Sequence, residues 1–108
     1  MDVNRASSAT HCVLLSAARI ADGVAQGRVP PSRELFVLAA AVAEAAHLGD
    51  SDALQTGIES SAALLDGLPS DGTWEGCRGH VNATMQFAWL LLRMHRGDDR
   101  RAYKGATA

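Results

Sequence analysis

The chain is short of the residues that β-sheets and membrane spans need. Among its 108 residues Val and Ile number only nine and aromatic residues make up 5%, although both classes are enriched in strands. Its apolar runs fall far short of the roughly 20 residues that a transmembrane helix requires. It also contains no glycine-rich phosphate loop, paired-carboxylate motif or nucleophile elbow. These gaps argue against a sheet protein, against a membrane span and against the enzyme classes that short motifs identify.

Lysine is almost absent, because nine of the ten basic residues are Arg. Together with 12 acidic residues they give a net charge of −2. No overall basic field therefore attracts nucleic acid. The charge is unevenly distributed, because residues 1–92 hold five Arg and ten acids whereas residues 93–108 hold five basic residues and two acids. The arginine bias, together with 20 Ala, is typical of a GC-rich bacterial or phage genome.

Cysteine is scarce too, with Cys12 and Cys77 alone. The N-terminus shows no apolar signal-peptide core, so a reducing cytoplasm and two free thiols are expected. Cys77 and His80 are three residues apart, a spacing that places two side chains on one helix face. A zinc site needs two more ligands, and the candidates His11 and Cys12 are adjacent residues that point about 100° apart on a helix. No metal and no cofactor is therefore predicted.

The chain is rich in Ala and Leu, with 20 and 12 residues, which enter helices at little cost. Apolar residues recur at helical spacing in four segments, which predicts an all-α, compact bundle of about four helices. These segments are 8–26, 31–49, 51–67 and 79–96, and a short turn or frayed helix around Trp74 is expected before the last of them. The connections are short and contain the Gly and Pro residues that end helices, so consecutive helices are expected to be antiparallel. Residues 1–97 form this single domain, and residues 98–108 a polar, frayed C-terminal tail.

The fourth segment has the most regular pattern. Its predicted core seam advances by alternating steps of four and three residues, at Val81, Met85, Ala88, Leu92 and His95. About 100° away from it lies a polar stripe, made of Asn82, Gln86, Trp89, Arg93 and Arg96. A Trp among arginines and amides on a solvated face has the composition of an interface hot spot. We therefore predict that Gln86, Trp89, Arg93 and Arg96 bind a partner protein. The plainer interpretation is an ordinary polar face with the indole folded onto the helix.

The second segment is apolar almost all round, because between Leu35 and Leu48 only Glu44 and His47 are strongly polar. A helix of this kind is expected to be covered on most sides. Either the monomer packs tightly around it, or a second copy or another partner covers the remaining apolar surface. The second alternative predicts a homodimer.

Three functions remain open at this point. The first is a small helical protein–protein interaction module, an adaptor, inhibitor or regulatory subunit without catalysis of its own. The second is a small enzyme or ligand-binding bundle, in which a helix N-terminus favours the Cys77 thiolate and His80 acts as the base. The third is a nucleic-acid-associated regulator that uses the basic residues 93–108, although the acidic remainder of the chain opposes nucleic acid. The absence of an enzyme motif favours the interaction module.

Overall fold

A computed structural model describes the backbone of residues 7–107 and the side chains of residues 7–97. Within these residues it contains four α-helices, one short 3₁₀ turn and no strand. The elements are α1 (Ser8–Ala25), α2 (Ser32–His47), α3 (Ser51–Gly67), the 3₁₀ turn (Gly72–Trp74) and α4 (Glu75–Thr107). The predicted all-α bundle of about four helices is confirmed. The ends of the first three helices lie within two residues of their predicted positions.

Two glycines end α1 and α2 in the same way. Gly27 and Gly49 have φ values of +77° and +68°, in the left-handed region where a side chain is strained. In each case the glycine N–H donates to the carbonyl three residues back and the next N–H to the carbonyl five residues back. The donor–acceptor distances are 2.9 Å for Gly27 to Val24, 2.8 Å for Arg28 to Gly23, 3.1 Å for Gly49 to Ala46 and 2.9 Å for Asp50 to Ala45. This pair of hydrogen bonds satisfies the last carbonyls of each helix, and the chain reverses direction there.

Asp50 begins α3 directly after the glycine that ends α2. Its carboxylate accepts a 3.0 Å hydrogen bond from the Ala53 N–H, as an N-cap residue does. Only three residues separate α2 from α3. A connection this short makes the two helices antiparallel neighbours.

The fourth helix is longer than its predicted firm part, and its predicted end at Gly97 is wrong. Instead of 79–96, α4 begins at Glu75 and continues through Gly97 to Thr107. Gly76, Gly79 and Gly97 all lie inside it. A helical glycine costs only about 1 kcal/mol relative to alanine, and burial of Cys77 and Val81 against the core offsets this near the helix start. The side chains of 98–108 lie outside the described residues, and the division into a domain and a tail stays a prediction.

In the four-helix bundle, α1 and α4 lie diagonally opposite each other. α1 contacts α2 and α3, α4 also contacts α2 and α3, and α1 and α4 make no close backbone approach among the described residues. Near the start of α2 the Phe36 ring meets the His80 ring of early α4, and Gly49, just after α2, lies beside the His95 ring. α2 and α4 therefore run parallel, and their outer faces adjoin.

The core has two parts. The first joins α1, α2 and early α4 around Val13, Ile20, Leu38, Trp74 and Val81. The second is rich in alanine and joins the opposite ends of the helices, through Ala9, Val42, Ala45, Ala53, Leu54, Ala88 and Leu92. The predicted seam of α4 faces this core, since Val81, Ala88 and Leu92 are buried while Met85 and His95 are half-buried.

The bundle is thin, with principal extents of 55 × 32 × 20 Å. The smallest extent equals about two helix diameters, so every helix keeps a face in solvent. On α2 this face includes Phe36, which is 63% exposed, and Val37, which is 55% exposed. The described residues therefore leave part of α2 uncovered, and what covers that part stays a prediction.

Candidate functional site

The four residues predicted to bind a partner lie on the exposed side of α4. Gln86, Trp89, Arg93 and Arg96 are all exposed, and their spacing of three, four and three residues keeps them on one face of the helix. Trp89 is 46% exposed, whereas the other tryptophan, Trp74, is only 5% exposed. The indole of Trp89 is thus available at the surface, and its role in binding stays a prediction.

Among the described residues, no acidic side chain neutralises the arginines of this face. Neither Arg93 nor Arg96 forms an ion pair among the described residues. An unpaired guanidinium keeps its planar set of donors free for a carboxylate, which it can bind through two parallel hydrogen bonds. The face therefore offers cationic donors next to an exposed aromatic ring.

The structure adds three apolar residues that the sequence interpretation missed. Leu90 is 53% exposed, Met94 is 56% exposed and Phe87 is 40% exposed. Leu90 joins Met85, Gln86, Trp89 and Arg93 in lining a shallow depression of about 470 Å³. The α4 outer face thus consists of Gln86, Phe87, Trp89, Leu90, Arg93, Met94 and Arg96.

A sequence signal for these residues exists, because Phe87, Leu90 and Met94 are spaced by three and four residues, like the predicted core seam. Two apolar rows on one helix do not reveal which of them is buried. The neighbouring helices decide this, since α2 and α3 cover the row of Val81 and Leu92. The other row is left at the surface.

Cys77 and His80 are close in sequence, but their surroundings do not suit nucleophilic catalysis. The Cys77 side chain is 4% exposed. Burial raises the pKa of its thiol, against the smaller opposite effect of the Arg78 charge. A catalytic cysteine instead needs an accessible thiol with a lowered pKa.

His80 is held by packing. Its ring meets the Phe36 ring edge to face at a centroid distance of 5.1 Å and an interplanar angle of 87°. The Nδ1 atom is buried and has no hydrogen-bond partner among the described residues, so the ring is not oriented by a third group as a catalytic base is. The pair is therefore better explained as part of the packing between α2 and α4.

The metal ligands considered from sequence do not come together. Cys12 is an exposed free thiol on α1, and Cys77 is a buried free thiol on α4. Among the side chains of residues 7–97 there is no group of three or more His, Cys, Asp or Glu residues arranged to hold a metal ion.

A second surface feature is the groove between α1 and α2. It has a volume of about 520 Å³ and is lined by Cys12, Leu15, Ser16, Arg19, Glu34, Val37, Ala40, Ala41 and Glu44. Leu15 on its rim is 70% exposed, more than any other large apolar side chain described. This groove carries both signs of charge, whereas the charges on the α4 outer face are all positive.

Comparisons with protein-family models, with curated proteins and with solved structures returned no match to this chain. Within the part of the chain that the structure describes, no helix combines the length and the hydropathy needed to cross a membrane.

Proposed function

We propose that this protein is a small helical protein–protein interaction module, acting as an adaptor, inhibitor or regulatory subunit, and that it binds its partner through the α4 outer face. One observation carries the proposal. Trp89, Leu90 and Met94 lie exposed on one helix, beside two arginines that form no ion pair among the described residues. Aromatic residues, Met and Arg are the types enriched in protein interfaces.

The chemistry of this face defines the kind of partner. The apolar side chains favour a partner with an apolar stripe or pocket, and Met94 is flexible enough to adapt to its shape. Arg93 and Arg96 favour carboxylates on the rim of that surface. The partner is therefore a protein segment that combines apolar side chains with Asp or Glu.

The remaining parts of the proposal concern catalysis, assembly and location. The buried Cys77 supports a module without catalysis of its own. The exposed apolar side chains of α2 support a homodimer in which a second copy covers part of them. The two free thiols are compatible with a reducing cytoplasm. The net acidity of residues 1–92 makes nucleic acid the less favoured partner.

Affinity capture from the native host tests this function if it is run with matched variants. Trp89→Ala and Arg93→Glu should each lose the partner, and the affinity for the purified partner should fall roughly 5- to 150-fold for the hot-spot Trp. Arg28→Glu is the matched control, because Arg28 is exposed and lies in the α1–α2 connection rather than on α4.

Circular dichroism must show the same helicity for all three variants. Loss of the partner with Arg28→Glu as well would show that net charge alone governs capture. Unfolding of Trp89→Ala would make Trp89 a core residue. Either result, or a partner retained by every variant, contradicts the proposed function.

A further inference from the structure

The outward side of α2 carries a row of four exposed residues with opposite charges at its two ends. Arg33, Val37, Ala40 and Glu44 follow one another at steps of four, three and four residues, and all are exposed. This spacing keeps them in one row along the helix. Arg33 and Glu44 are about 16 Å apart along the axis at 1.5 Å per residue. Neither forms an ion pair among the described residues.

A row of this kind is complementary to itself in the antiparallel direction. Suppose that the α2 helices of two copies face each other in antiparallel orientation, with the two-fold axis between Leu38 and Ala39. Arg33 of each copy is then level with Glu44 of the other. Val37 is then level with Ala40 of the second copy, so a larger side chain meets a smaller one. A two-fold axis produces each of these contacts twice. A parallel arrangement would instead place like charges together.

α1 repeats the same order of residue types. His11, Leu15, Ala18 and Asp22 have the same spacing, and all four are exposed. α1 and α2 are antiparallel, so the groove that they line has Arg19 and Glu34 at one end and Cys12 and Glu44 at the other. At 1.5 Å per residue, the midpoint of the α1 row therefore lies within about 3 Å of the midpoint of the α2 row along the axes. One two-fold axis can serve both rows.

The groove between these helices gives the second copy a place to pack. Leu15 and Val37 both line it and are 70% and 55% exposed. Two helices about 25 Å long and about 10 Å wide offer roughly 500 Å² of flat face per copy. That is close to the roughly 600 Å² per partner at the lower end of specific interfaces. An interface of this size is expected to give a weak dimer.

The α4 outer face does not suit a second copy. Its described charges are Arg93 and Arg96, and it contains no carboxylate. Two copies that met there would bring together four arginines that have no counter-charge among the described residues. Like charges across an interface are unfavourable.

We propose that two copies of this chain associate through the α1/α2 face, with Arg33 of each copy paired with Glu44 of the other. This inference deepens the homodimer part of the proposed function and uses residues separate from those that bind the partner. Both surfaces are then available at once, since the α1/α2 face and the α4 outer face belong to different helices.

Charge reversal and its rescue test the pairing. Sedimentation velocity over a range of concentrations should give a dimer for the wild type. Arg33→Glu and Glu44→Arg should each raise the dimer dissociation constant at least 10-fold, because each places like charges together twice. The double variant, Arg33→Glu with Glu44→Arg, should restore the dissociation constant to within about 3-fold of the wild type, because the opposite charges are again level. Arg28→Glu and Glu59→Arg are exposed controls with the same changes in charge and should leave it unaltered.

Cys12 provides a second measurement, because it is exposed and lines the groove. Its reaction with a maleimide should slow as the wild-type concentration rises, and should not slow for Arg33→Glu. A wild type that stays monomeric up to millimolar concentration overturns the proposal. So does a double variant that fails to dimerise, or a dimer that survives both single reversals and is lost with Leu90→Ser.

The two proposals can fail separately. A monomer whose partner binding is lost with Trp89→Ala overturns this inference and leaves partner binding intact. A dimer that obeys the charge-reversal pattern but captures no partner through α4 supports this inference and overturns the proposed partner binding.

Discussion

Gly57, in the middle of α3, marks a close approach between α3 and its neighbours. A Cβ atom at this position would lie 3.0 Å from Val42 Cγ2 on α2 and 3.8 Å from Ala88 Cβ on α4. Gly57 is buried and Val42 is 0% exposed. Val is β-branched and nearly confined to one rotamer in a helix. The methyl group of Gly57→Ala therefore cannot be accommodated by a simple side-chain rotation.

The magnitude follows from two opposing effects. Replacing a helical glycine by alanine stabilises a helix by about 1 kcal/mol. Forcing an extra carbon into a packed core costs about 1–3 kcal/mol. We expect Gly57→Ala to lower the free energy of unfolding by about 0–2 kcal/mol. Gly79 is the matched control, because it is also inside a helix and a Cβ atom there would meet no neighbouring residue within 4 Å. Gly79→Ala should raise the free energy of unfolding by about 1 kcal/mol.

Urea unfolding followed by circular dichroism measures both variants, and a lower midpoint with an unchanged slope reports a change in stability alone. In thermal unfolding, the melting temperatures of the two variants should differ by at least about 4 °C, with that of Gly57→Ala the lower. If Gly57→Ala stabilises the protein as much as Gly79→Ala does, α3 does not approach α2 and α4 as closely as described. The packing of the alanine-rich part of the core would then need revision.

Three further predictions concern side chains whose surroundings differ sharply. Trp74→Ala should lower the free energy of unfolding by about 3–5 kcal/mol, whereas Trp89→Ala should change it by less than about 1 kcal/mol, as thermal unfolding of both variants will show. Cys12 should react quickly with iodoacetamide and Cys77 slowly. Burial raises the folded-state pKa of Cys77 above its unfolded value. The contribution of this thiol to stability is therefore complete below the unfolded pKa and is lost as the pH rises towards the folded pKa. Wild-type stability should therefore fall relative to Cys77→Ala over that alkaline range, and equal pH profiles would contradict the burial. Ser61→Ala should raise the free energy of unfolding by about 1 kcal/mol, because the buried Ser61 Oγ has no hydrogen-bond partner among the described residues; a loss of stability would reveal a partner.

Local signals in the sequence were sufficient for the helical class and for most helix ends. Gly27 and Gly49 each follow a segment of helical periodicity, and a left-handed residue at that position is what the end of a helix requires. The exposed placement of Gln86, Trp89, Arg93 and Arg96 also followed from helical periodicity, since a fixed angle per residue relates them to the predicted seam.

The length of α4 was not predictable in this way. Glycine weakens a helix by an amount that packing can offset, so the residues around Gly79 and Gly97 form a helix or a turn according to what they contact. Proline differs, because its ring prevents the helix regardless of the surroundings. For this reason the proline-containing connections were located correctly and the glycine-based ends of the fourth helix were not.

The sequence alone determined that this chain forms amphipathic helices joined by short turns, because periodicity and capping act within a few residues. The tertiary structure decided which apolar rows are buried and which stay in solvent. Phe87, Leu90 and Met94 have the same spacing as residues of the core seam, and only the positions of α2 and α3 leave them exposed. The pairing proposed between Arg33 and Glu44 of two copies likewise depends on which side of α2 faces outward, and neighbouring helices rather than local sequence set that side.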